Sequence, residues 1–121
     1  MSFAEVPIPI RNYIFLLQQE RSPYSDAVRY LVRLMEEEYK SRNGEVIYFI
    51  NPRELKRKIE KTLNKTISLS NLCRCIYALF YGSKLKEGED FYVTTSAGGR
   101  RNYHVKVNEK TLKAFKIFAS I

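Results

Sequence analysis

A chain of 121 residues is the size of one domain and long enough to bury a core without covalent staples. Two cysteines and one histidine exclude a disulfide-built scaffold and a histidine-rich metal site, and no cofactor motif is present. The formal charge of +8 is uneven: residues 1–50 carry six Lys/Arg against seven Asp/Glu, and residues 51–121 carry fifteen against six. A polyanion-binding surface is therefore expected in the second half, with a solvated Lys-rich surface as the bland alternative.

Pro7 and Pro9 favour an extended or irregular arm over residues 1–10. Arg11 to Glu20 contains the dense apolar run Tyr13 to Leu17 and is read as a short helix on the body, with a strand or a dimer contact as alternatives. Ser22-Pro23 opens a longer helix in cap-then-proline fashion, Ala27, Val28, Leu31, Leu34, Met35 and Tyr39 form its apolar face, and Asn43-Gly44 ends it. Glu36-Glu37-Glu38 is read as a solvated face. Val46 to Ile50 is β-branched and aromatic, too short for a helix between Gly44 and Pro52, and is expected as a strand.

Asn51 is the cap of the next helix, Pro52 suits its first position, and Glu54 is placed to close a capping box. Leu55, Ile59 and Leu63 keep its apolar stripe, leaving Arg53, Lys56, Arg57, Lys58 and Lys61 mostly outside it. Asn64-Lys65-Thr66 breaks the pattern. Ser68 then caps a second helix whose apolar positions Leu69, Leu72, Cys73, Ile76, Leu79 and Phe80 share one face, with Gly82 as its stop. This periodicity assigns Cys73 to the core and leaves Cys75 partly exposed. Two apart on a helix, the cysteines point to different sides and do not bridge.

On the free face near the start of this second helix stand Ser70, Asn71 and Arg74, the residue types that meet base edges: Arg with guanine, Asn with adenine, Ser with either. Tyr77 and Tyr81 further along are expected either to touch sugar and phosphate or to pack under the strands that follow. Phe91 to Ser96 and Asn102 to Val107 alternate as two strands, with Phe91, Val93, Tyr103, Val105 and Val107 facing inward. Ala97 to Arg101 joins them as a hairpin with a basic tip. His104 is read as a solvent-facing strand residue, since it lacks the partners a catalytic base requires. Asn108 caps a final helix with Leu112, Phe115 and Phe118 on one stripe.

The order helix, strand, helix, helix, strand, basic loop, strand over residues 23–107 resembles the winged helix-turn-helix family. The segment Ile67 to Arg74 is similar to the start of many recognition helices in it. The connection from Leu63 to Ser68 is longer than the tight turn of the simplest members. The resemblance implies an α+β fold with a three-helix core, a short strand after the first core helix and a C-terminal hairpin wing. Residues 1–22 add an arm or short helix, and residues 108–121 a helix that is a candidate dimer contact. The mix of Lys, Ile and Tyr with only two Gln is similar to small proteins of thermophilic archaea and of their viruses and plasmids.

What the resemblance implies for function is a protein of double-stranded DNA, with Ser70, Asn71 and Arg74 at base edges in the major groove. Lys56, Arg57, Lys58, Lys61, Lys84 and Lys86 are assigned to phosphates, and Arg100 and Arg101 to the backbone or minor groove. A homodimer is expected through Leu112, Phe115 and Phe118 or through residues 13–17. A sequence-specific transcription regulator is the leading expectation. A replication, partition or chromatin-architectural protein would use the same surface with less base discrimination, and a winged-helix protein-interaction module would not touch DNA. No paired-carboxylate or phosphate-cradling motif points to an enzyme, and the absence of a long apolar run or secretory signal points to a cytoplasmic, nucleoid-associated location.

Overall fold

Side-chain caps decide where most of the helices begin. The computed structural model describes residues 6–18 and 22–120, in the order α1 (Ile8–Leu17), α2 (Pro23–Arg42), β1 (Val46–Ile50), α3 (Pro52–Leu63), α4 (Leu69–Gly82), β2 (Phe91–Ser96), β3 (Arg100–Val107) and α5 (Glu109–Ala119). Ser22, Asn51, Ser68 and Asn108 each accept a backbone N–H of the first turn, relieving donors that the helix cannot satisfy itself. Asn43 and Asn64 end α2 and α3 in the left-handed region, at φ 55° and 52°. Lys65 pairs with Asp26, tying the 64–68 connection to α2 and fixing how α4 leaves α3.

The strands form an antiparallel sheet of order β1-β3-β2. One face is apolar: Ile50, Phe91, Tyr103, Val105 and Val107 are buried and Val93 is half-buried. They cover a core in which the Phe80 ring of α4 lies 4.8 Å from Phe91, 6.0 Å from Phe115 and 6.3 Å from Tyr103. Tyr77 packs edge-on against Tyr103 at 5.1 Å, so the hairpin is held down on α4 by ring contacts. Among the described residues the architecture is α+β, five helices and a small antiparallel sheet, an arrangement compatible with a winged helix.

Several expectations need correction. Helix α1 begins at Ile8 rather than after an extended arm, because prolines in a first turn forfeit no intrahelical bond. Its expected end near Glu20 lies outside the described residues. Glu54 does not close a capping box; its carboxylate lies 4.0 Å from Lys58 Nζ instead. Cys75 is fully buried and Cys73 half-buried, the reverse of the expected order, because α1 packs on the side of α4 that the sequence leaves free. Gly82 has no positive φ; Lys84, at φ 63°, takes the left-handed position after α4. A Cβ on Gly82 would stand 2.3 Å from a Phe118 ring carbon, so glycine here admits α5. Leu112, Phe115 and Phe118 are buried in the chain's own core, as are Ile14 and Leu17 of α1, so those side chains are not available to a second copy. Glu36 of the acidic run bonds Lys116, joining α2 to α5.

Candidate nucleic-acid interface

Helix α4 starts where the Ser68 hydroxyl accepts the Asn71 amide at 3.2 Å, and its first turns carry Ser70 and Arg74 to an exposed surface. Asn71 is half-buried between its neighbours. Its Oδ1 accepts the Tyr13 hydroxyl of α1 at 2.6 Å and its Nδ2 donates to the Tyr24 hydroxyl of α2 at 3.3 Å. Both ends of the amide that would grip adenine are already bonded within the protein. Breaking two such bonds costs about 1–3 kcal/mol in total, comparable to what one base contact returns. Asn71 is therefore a joint between three helices, a correction to its assignment as a base contact. Arg74 lies over the same tyrosine: its guanidinium carbon is 5.8 Å from the Tyr13 ring centroid and Nη1 is 3.5 Å from the hydroxyl.

Strand β1 ends at Ile50, opposite Tyr103, while β3 continues to Arg100 with β2 alone beside it. The space left beside the hairpin tip is a cleft of about 910 Å³, walled by α4, the start of α3, the first residues of α1 and the wing. Ser70, Arg74, Arg100 and Arg101 meet there, joined by Arg53 and faced, among the described residues, by a single carboxylate, Glu87. Cys73, Tyr77 and Tyr81 also line it. Burial pushes the Tyr77 and Tyr81 hydroxyls above their ordinary pKa, with Arg101 opposing the shift at Tyr77, so both stay protonated donors at neutral pH.

The sequence-assigned phosphate residues divide. Lys56 is bonded to Glu60 at 3.0 Å and Lys58 faces Glu54, both along α3; Arg57 and Lys61 are exposed on the same helix. Lys84 and Lys86 are exposed beyond the end of α4. None of these six lines the cleft. Arg53 was missed because it sits in a helix first turn, where a cation opposes the macrodipole and nothing in the local pattern singles it out. Phe49 was missed as well, although strict alternation from the buried Ile50 would have placed it on the opposite face.

Burial raises the pKa of Cys73 and pushes that of Cys75 up to about 12, which favours the protonated thiol at both. Among the described residues no group of three or more His, Cys, Asp or Glu is placed to hold a metal, and no helix is long and apolar enough to cross a membrane. Comparison with family models, with curated proteins and with solved structures finds no match to this chain.

Proposed function

We propose that this chain is a winged helix-turn-helix protein of double-stranded DNA, and that it acts as a sequence-specific transcription regulator. Helix α4 is the recognition helix, presenting Ser70 and Arg74 to base edges, and the tip around Arg100 and Arg101 lies on the neighbouring backbone or in the minor groove. The observation that carries the reading is the convergence of Ser70 and Arg74 with Arg100 and Arg101, two groups far apart in sequence, on one cleft whose lining among the described residues holds a single carboxylate, Glu87. The exposed cations of α3 add phosphate contacts that hold register without reading sequence.

One observation favours the second reading, a replication, partition or architectural protein. With Asn71 bonded to Tyr13 and Tyr24, two of the three base-reading side chains remain for discrimination. Selection of bound fragments from random duplex separates the two. A regulator yields a defined motif, and Arg74→Ala flattens one position of it, worth about 1–3 kcal/mol. Recovery of fragments without a shared motif supports the architectural role, and no duplex binding at low salt rejects both.

A further inference from the structure

On the solvent side of the sheet three rings stand in a row. Phe49 of β1 lies 5.1 Å from His104 of β3, and His104 stacks on Tyr92 of β2 at 4.4 Å with the planes 5° apart. The ladder fixes this order, because His104 is the register partner of both Phe49 and Tyr92. The imidazole is further held by a 3.0 Å hydrogen bond between Nε2 and Thr94 Oγ1. Even so, Phe49 is 53% and Tyr92 48% exposed.

The row does not stop at the sheet. Phe49 is also a wall of the arginine cleft, which makes the rings and the guanidinium groups of Arg53 and Arg100 one continuous track. Lys106 stands exposed on the same face of β3, two residues from His104. Exposed aromatic faces beside a cationic groove match the chemistry of unpaired bases on a charged backbone. A closed duplex offers its phosphates to such a track but keeps its base faces stacked internally.

We propose that this track binds single-stranded nucleic acid, with successive bases on Tyr92, His104 and Phe49 and the phosphates on Lys106, Arg100 and Arg53. The site is distinct from the α4 residues Ser70 and Arg74 and shares Arg100 with the proposed duplex surface. Through it the protein holds a strand that has left the duplex.

The test uses the full chain and two labelled probes, an oligothymidylate of about 12 nucleotides and a closed hairpin duplex of about 20 base pairs, followed by fluorescence anisotropy. Tyr92→Ala with His104→Ala, neither of which lines the arginine cleft, weakens binding of the oligothymidylate about tenfold or more and changes duplex affinity less than about twofold. The chain contains no tryptophan, so Tyr92→Trp supplies a single indole emitter, and its emission is quenched when the oligothymidylate is added. That readout stands even if the double variant folds poorly. Equal loss on both probes, or no quenching, overturns the proposal. So does a blue shift of the indole with concentration-dependent sedimentation and no oligonucleotide present, which marks the face as a contact between copies. Absence of duplex binding with the quench intact would reject the duplex reading and leave this one standing.

Discussion

Asn71 and Arg74 share a face of α4 yet have different work, and the difference lies in what Tyr13 does to each. The tyrosine hydroxyl donates to Asn71 at 2.6 Å and accepts from Arg74 at 3.5 Å, while the guanidinium of Arg74 stays exposed above the ring. Asn71→Ala is expected to lower stability by about 1–2 kcal/mol, read as a lower Tm, while leaving base preference unchanged. Arg74→Ala is expected to do the reverse, with unaltered melting and relaxed preference in competition binding. The side chains of Ser70, Asn71 and Arg74 were legible as polar groups at a helix start. The partner of Asn71, 58 residues earlier in the chain, left no local trace in the pattern.

Buried acids make a second prediction at this scale. Cys75 and Tyr103 are fully buried, and burial raises both pKa values in the folded chain, that of Cys75 to about 12. A thiol with its folded pKa above its unfolded value of about 8.5 contributes no pH dependence below that value. Above it the unfolded chain loses the proton first, so stability falls as pH rises through the window up to the folded pKa. Denaturant melts are therefore expected to be flat through neutral pH and to weaken above about pH 9. Labelling with iodoacetamide at neutral pH is expected to be slow at Cys75 until the protein unfolds.

The elements were the most legible part of the chain, because caps, prolines and alternation act within a few residues. Ser22-Pro23, Asn51-Pro52, Ser68 and Asn108 mark helix starts that the structure keeps, and Gly98 and Gly99, at φ 85° and 74°, make the hairpin turn. Gly82 shows where local reading fails. It ends α4 as expected, but for the ring of Phe118, which arrives from an element 36 residues away. Gly82→Ala is expected to destabilise by about 1–3 kcal/mol through overpacking, although alanine is the better helix former. Combining it with Phe118→Leu should restore part of the loss, a coupling that a double-mutant thermal series would detect.

At the scale of the molecule, the charge asymmetry read from composition becomes a located surface only when the chain folds. Arg53, Arg74, Arg100 and Arg101 span about two thirds of the basic segment, and the sheet order β1-β3-β2 brings the hairpin tip beside α4. Register between strands 50 residues apart cannot be read from periodicity, so the cleft itself was not foreseeable although most of its charged walls were. The packing of α1 on α4 was equally hidden, and it is what removed Asn71 from the reading surface and reversed the two cysteines. Of the apolar side chains that were candidates for self-association, Leu112, Phe115 and Phe118 of α5 and Ile14 and Leu17 of α1 are buried, while Phe15 stays exposed together with Ile8 and Ile117.

The proposed role of the cationic cleft in neutralising phosphates is tested most directly by the salt dependence of duplex affinity. For about six to eight phosphate contacts, log Kd should change with log salt at a slope magnitude of about 5–7, and Arg100→Ala with Arg101→Ala should lower that magnitude by about 2. A flat salt response, or a slope the double variant leaves unchanged, would contradict it.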